Sequence, residues 1–360
     1  MAIPKSFKAA VVPEAGAQNI VTDRTLAPLE TGEVGIKITA TAINPVDWKM
    51  RDYKVFLPDY PAVLGSDAAG EIVAVGPGVS DFAVGQRVFF QGIIGKYDSS
   101  TFQQYCKMPA ALVGKTPSNI SDEEAAGVSL ATVAVLTAFY DKATGHGLTP
   151  PWDKDGGKAG QGKAIAILGG SSSVGQYAIQ LARLSGFSKI ITNSSAKHAE
   201  HLKSLGAHVV LDRSTASSPE DFAAAVAADT ATPLAFVMDA ISTESTQTLG
   251  VQIVQSTKTQ DTHVYVVQAP AGGKVQELCE SGPTKTSIKG VLGLGSRPDL
   301  RYLSEPLMAN LGGEDGYIAK GLYRPNRPVV VPGGLGAVET ALAKNKDGVS
   351  GEKVVIKPSE

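Results

Sequence analysis

The stretch with the clearest chemical meaning is Gly169-Gly170-Ser171-Ser172-Ser173-Val174-Gly175, which follows the apolar run Ala164-Ile165-Ala166-Ile167-Leu168 without a break. Small residues let a backbone come close to a pyrophosphate. The free N–H groups and positive dipole end of the helix that starts there would hold it. Gly170, Ser171, Ser172, Ser173 and Val174 are therefore the candidate phosphate contacts. The turn departs from strict G-x-G-x-x-G spacing, with Ser at position 171. Any tight strand-to-helix turn also favours Gly and Ser, so the string takes its meaning from the β-α-β context.

A second cluster lies at the end of the next strand, Thr192-Asn193-Ser194-Ser195-Ala196-Lys197-His198. A carboxylate there would hold the ribose 2′-hydroxyl of NAD and repel a 2′-phosphate. This chain has none, whereas Ser194, Ser195, Lys197 and His198 offer hydroxyls and positive charge. Arg213, after the third strand, offers a second cation or a plane to stack on adenine. The cofactor expected is NADPH. The competing reading makes Ser195 a helix cap and Lys197 a solvated side chain.

The elements that must position these residues change rhythm along the 360 residues, which are enough for two domains. The first part reads as short strands: Lys8–Val12, the alternating Val34–Ala40, Glu71–Val75 and Gln86–Phe90, with Gly and Pro between them. That pattern suggests a small barrel. From about Val128, strands at 164–168, 189–192, 209–211, 234–238 and 264–267 alternate with helices, which argues for a doubly wound parallel sheet. The tail, with short strands at 329–331 and 353–357 around a helix at 335–343, is too small for its own core and returns to the first domain. The polar stretch Gly145–Gly162 reads as a surface loop.

Composition narrows the classes. Lys plus Arg number 33 against 35 Asp plus Glu, so no chain-wide grip on nucleic acid or anionic lipid is expected. Two cysteines, Cys106 and Cys279, make neither a disulfide scaffold nor a Cys-rich zinc site. The start lacks a signal-peptide pattern, and the most apolar stretch, 125–140, reads as a packed helix. The expectation is a soluble, cytoplasmic protein that is a monomer or homodimer.

The segments Leu64-Gly65-Ser66-Asp67-Ala68-Ala69-Gly70-Glu71 and Val79–Val88 resemble those of the medium-chain dehydrogenase/reductase superfamily, and the likeness covers nearly the whole chain. Asn44-Pro45-Val46-Asp47-Trp48-Lys49 narrows it to the zinc-free quinone and enoyl reductase branch, to which fungal trans-acting enoyl reductases are similar. The resemblance implies a GroES-like β-barrel domain over 1–127, completed by 306–360, and a Rossmann NADPH domain over 128–305. Zinc-dependent relatives place ligands where this chain has Asn44, Ser66 and a residue near Val133, none of which replaces a thiolate or imidazole, so no metal is expected.

The family binds the nicotinamide end between its two domains. By resemblance, Val46, Asp47, Trp48 and Lys49 line that region, Thr137 contacts the nicotinamide, and Ile241 and Gln268 end strands beside the cofactor. Val291, Val349 and Ser350 belong to segments that close over it. Catalytic roles fall to Lys49, Thr137 and Asn44, the last orienting a carbonyl. A Thr inside a helix also commonly bonds its own backbone, which is the competing account of Thr137. The implied reaction is hydride transfer to an electrophilic alkene or a quinone, with charge building on an oxygen that needs donors. Two alternatives stay open: a trans-acting enoyl reductase with a polyketide synthase partner, and a catalytically silent NADPH-binding protein.

Overall fold

The computed structural model describes residues 3–228 and 232–360. They form two compact units. One runs up to Leu130 and resumes from Leu294 to Glu360; the other is Ala131–Gly293. Met1 and Ala2, where the expected first domain begins, lie outside the described residues.

The first unit opens with β1 (Phe7–Val12), β2 (Ile20–Arg24), β3 (Glu33–Ala42), α1 (Pro45–Tyr53), β4 (Ala62–Val63) and β5 (Ala68–Val75). It continues with β6 (Arg87–Phe90), β7 (Tyr105–Pro109), β8 (Val113–Lys115) and α2 (Asp122–Ala125). The alternation that marks β3 in the sequence is real: Val34, Ile36, Ile38 and Ala40 are buried, with Lys37 and Thr39 less so. β3 pairs antiparallel with both β5 and β7. Helix α1 was not expected, although Pro45 at its first position is a helix-start signal. Its low hydropathy and nine-residue length hid it.

The second unit begins within α3 (Ser129–Tyr140) and alternates through β9 (Ala164–Leu168), α4 (Ser173–Leu184), β10 (Lys189–Ser194), α5 (Ala199–Leu205), β11 (Val209–Asp212) and α6 (Pro219–Ala227). It closes with β12 (Leu234–Asp239), α7 (Glu244–Ser256), β13 (Thr262–Val266), α8 (Lys274–Ser281) and β14 (Thr286–Gly290). Among the described residues these strands make one six-stranded parallel sheet in the order β11-β10-β9-β12-β13-β14. The order reverses between β9 and β12, and ligands of such sheets bind outside the carboxyl ends of the strands at that switch point. The sixth strand was missed because Thr-Ser-Ile-Lys-Gly carries one apolar side chain. The 145–162 stretch is not wholly a surface loop: Leu148 and Pro150 are buried, and Trp152 packs edge-on against Tyr140.

The tail returns through α9 (Arg301–Leu311), β15 (Arg327–Val330), α10 (Val338–Asp347) and β16 (Glu352–Ile356). β16 pairs with β3, and Leu335, Val338, Leu342, Val354 and Ile356 share a core with Val12, Ile43, Met50 and Phe102. The re-entry falls at Leu294, ahead of α9; a boundary at 305/306 would cut that helix.

Candidate functional site

In the second unit the turn after β9 is shaped by what it lacks. Gly169 has φ +76°, and a Cβ on it would meet Ile241 Cγ1 at 2.4 Å. A Cβ on Gly170 would meet Thr192 Oγ1 at 2.2 Å, and one on Gly175 would meet the Gly169 carbonyl oxygen at 2.3 Å. Ser172 caps α4, accepting from the Gly175 N–H at 3.0 Å. Ser171, Ser172, Ser173 and Val174 are half-buried at this helix end, and its first turn carries no acid. Such a cradle fits a pyrophosphate.

Asn193, which was not singled out as a site residue, holds this turn in place. Its Oδ1 accepts from the Gly169 N–H at 2.9 Å, its carbonyl accepts from the Gly170 N–H at 3.0 Å, and its Nδ2 donates to Ser217 Oγ at 2.8 Å. An Asn at a strand end in a Gly-rich context was the available signal.

The corner expected to meet a 2′-phosphate lies at the ends of β10 and β11, where Ser194 pairs with Asp212. Arg213 donates its N–H to the Ser194 carbonyl at 2.9 Å. Lys197 and Arg213 are exposed, and Ser195 and His198 half-buried. Burial, then the neighbouring charges of Lys197, His201 and Arg213, hold the His198 imidazolium below its usual range. Lys197 and Arg213 bring positive charge to this corner, beside the Asp212 carboxylate. Ser194 differs from expectation: it is 3% exposed, and its carbonyl is taken by the Arg213 N–H. Arg213 also lines a cleft of about 410 Å³ with Asn193, Ser214, Ser217 and Thr246.

At the ends of β12 and β13, Asp239 Oδ1 accepts from the Ile241 and Ser242 N–H groups at 3.0 and 2.8 Å. Gln268 Nε2 donates to the Ile241 carbonyl at 2.7 Å, so the two expected cofactor neighbours meet each other beside Gly169. Val291 is buried and Leu292 exposed, which makes Leu292 the accessible side chain of that segment. Thr137 is 2% exposed, and its hydroxyl donates to the Val133 carbonyl at 2.8 Å. Its proton is spent on its own helix, which leaves it only an acceptor's role.

In the first unit α1 presents Val46, Trp48 and Lys49, all half-buried. Trp48 donates to Asn345 Oδ1 at 3.1 Å, and the Lys49 and Lys346 ammonium groups lie 5.4 and 5.2 Å from its ring centre. Val46, Trp48 and Val349 pack on one apolar cluster, and Ser350 beside them is exposed. Partial burial holds the Lys49 ammonium below its usual range.

Two residues assigned to this surface face inward instead. Asn44, read as orienting a carbonyl, is 2% exposed: its Oδ1 accepts from Lys353 Nζ at 2.5 Å and its Nδ2 donates to Asp67 Oδ2 at 3.4 Å. Asp47 is fully buried, accepting from the Asn44 N–H at 2.7 Å and from Ser66 Oγ at 2.8 Å. At 3.6 residues per turn, position 47 points away from the half-buried side that carries Val46, Trp48 and Lys49. Burial pushes the Asp47 carboxyl up to about 6 and that of Asp67 up to about 7, against the pull of Lys353.

Of the residues that the resemblance sets at zinc-ligand positions, Asn44, Ser66 and one near Val133, the Asn44 oxygen accepts from the Lys353 ammonium group. Among the described residues, no three His, Cys, Asp or Glu side chains are grouped to hold a metal ion. No helix among them is long and apolar enough to cross a membrane.

A barrel-type unit built on β3 and β5, with a glycine-cradled parallel sheet inserted before its tail, defines the class. The chain belongs to the medium-chain dehydrogenase/reductase superfamily of oxidoreductases. Residues 30–118 match the alcohol dehydrogenase GroES-like domain and residues 173–303 the zinc-binding dehydrogenase family. The chain is 32% identical to a trans-enoyl reductase of Aspergillus japonicus over 91% of its own length and 90% of that protein. It is also 32% identical to a trans-enoyl reductase of Aspergillus flavipes, over 98% and 99% of the two chains. The solved quinone oxidoreductase of Coxiella burnetii shares the fold, with a TM-score of 0.69 at 22% identity over 98% and 99% of the chains.

Proposed function

We propose that this oxidoreductase is an NADPH-dependent, zinc-independent reductase of an activated carbon–carbon double bond or a quinone. The observation that carries the reading is a cradle closed to any Cβ beside a strand end that gathers Ser195, Lys197, His198 and Arg213 with no acid at the end of β10. When bound, the nicotinamide supplies a hydride. The backbone and hydroxyls of 170–174 hold the pyrophosphate, and Ser195 and Lys197 hold the 2′-phosphate. The hydroxyl of Thr137, with only lone pairs to offer, accepts from an amide N–H. We assign Val46, Trp48, Lys49, Val349 and Ser350 to the nicotinamide end. The incompletely solvated ammonium of Lys49 is the donor suited to an oxygen that gains charge.

The test is an acceptor screen with purified protein, following loss of NADPH absorbance. Enones or quinones should be reduced and simple alcohols left unoxidised. Deuterium from C4 of the cofactor should appear at the β-carbon of an enone product. Label at a carbonyl carbon, or alcohol oxidation by metal-free protein, would refute the reading. Elemental analysis should find no stoichiometric zinc, and a chelator should leave activity unchanged.

The near full-length identity to trans-enoyl reductases favours one narrower version: service in trans to a polyketide synthase. In that case an enoyl thioester on a carrier domain should be reduced faster than the same enoyl group on a small thiol.

A further inference from the structure

Helix α1 rests on the apolar cluster through Met50 and the half-buried Val46 and Trp48. It is nine residues long, and its buried side chains are Asp47 and Met50. A helix of this length does not hold itself together in water. Its outer side is tied to α10 by Trp48–Asn345, Arg51–Glu339 and Lys346–Asp52, and its start is seated by a buried polar cluster drawn from separate stretches of the first unit. Lys353, on β16, is 4% exposed, and its Nζ bonds Asn44 Oδ1 at 2.5 Å and lies 3.8 Å from Asp67 Oδ2. Asn44 immediately precedes α1, and its N–H reaches the Asp47 carboxylate. Ser66 holds the other oxygen of Asp47, and the Leu130 N–H reaches Asp67 Oδ1 at 3.1 Å.

The surroundings are cut to fit this lysine. A Cβ on Gly127 would meet Lys353 Cγ at 2.7 Å, so the aliphatic stem takes the space a side chain would fill. The Ile43 N–H bonds the Val354 carbonyl at 2.8 Å, which locks the two backbones in register next to the Lys353–Asn44 contact. Burying an ammonium costs free energy that hydrophobic packing would not, so its presence here points to fixing a geometry.

We infer that Lys353 is a positioning residue for the reductase: its ammonium, seated on Asn44 and facing Asp67, fixes the start of α1 and with it Trp48 and Lys49. The functional half of this inference rests on the assignment of α1 to the nicotinamide end. The chain has two tryptophans, Trp48 and Trp152, one in each unit, so fluorotryptophan labelling reports on α1 with an internal control.

The experiment compares full-length wild type with Lys353→Met, both saturated with NADPH. The Trp48 fluorine resonance should move or broaden while that of Trp152 stays. Turnover with an enone should fall about tenfold or more, because small misplacements of reacting groups carry penalties of that size. The dissociation constant for NADPH should change less than about twofold, since its phosphate contacts lie in the other unit. The double variant Lys353→Met/Asp67→Asn removes a carboxylate left without its cation, and should show the same displacement and loss. It decides the matter if the single variant does not fold. Unchanged turnover, an unmoved Trp48 resonance, or equal movement of both tryptophans would overturn the inference. A wild type that reduces no acceptor would instead refute the functional reading, leaving the resonances to judge the role of Lys353.

Discussion

The glycine turn after β9 and the polar cluster under α1 organise a site by opposite means. The turn works by omission: Gly169, Gly170 and Gly175 leave room, Asn193 pins the backbone, and the start of α4 is the end proposed for the pyrophosphate. The cluster works by insertion. Asn44, Asp47, Ser66, Asp67 and Lys353 fill the space with charge and hydrogen bonds, and the surface they support is carried by their neighbours. The first kind of site tolerates almost no added atom. The second tolerates volume-preserving changes and fails when one partner loses its match.

The sharpest way to break the contrast is to add one side chain to the turn. Gly170→Val should weaken both NADPH and NADH by about a hundredfold or more, equivalent to about 2.7 kcal/mol, because its branches collide with Thr192. Fluorescence titration of the folded variant measures this. Lys197→Ala should weaken NADPH alone, by about tenfold to a hundredfold, the worth of a charge-assisted contact of about 1.5–3 kcal/mol. Equal loss for NADH would show that Lys197 does not read the 2′-phosphate.

Asn193→Ala sharpens the comparison further, since it removes a clamp without filling space. Both cofactors should weaken alike, by about fivefold, in line with about 1 kcal/mol for a net hydrogen bond. Discrimination between them should survive, because Lys197 is untouched.

The smallest effect belongs to the inserted cluster. Asp47 and Asp67 titrate in the folded chain near 6 and 7, above the ordinary aspartate range. Between about pH 4 and 7 the native chain therefore holds protons that the unfolded chain has released, and these two groups make stability fall as pH rises through that window. Asp67→Asn should flatten this slope in denaturant titrations across the same window. An unchanged slope would place the titration elsewhere.

The two sites also differ in how far they can be read from the chain. The turn is contiguous: an apolar strand, small residues and helical spacing lie within 164–184, and the strands β9, β10 and β12 stand where the apolar runs predict. The cluster is not. Lys353 meets Asn44 across 309 positions, and no spacing rule links a lysine in the tail with an asparagine near the start. Reading Asn44 and Asp47 by resemblance placed them on a ligand-facing surface, whereas burial turned both inward. Thr137 shows the same limit, since a sequence does not show which way a hydroxyl points inside a helix. Asn193 was within reach, but the Ser195 hydroxyl and the Lys197 ammonium, two and four residues beyond it, carry the stronger phosphate chemistry.

Lys353 has a consequence for the order in which this protein is made. The parallel-sheet unit is one uninterrupted segment, 131–293, and domains tend to fold as units while synthesis proceeds. The barrel unit is interrupted by it. When β3, α1 and β5 leave the ribosome, Asp47 and Asp67 have no ammonium to meet, and the edge of β3 that later receives β16 is bare. That unit must wait for the whole of its neighbour to be translated before its charges are matched. An exposed strand edge in the interval is a template on which another chain can pair.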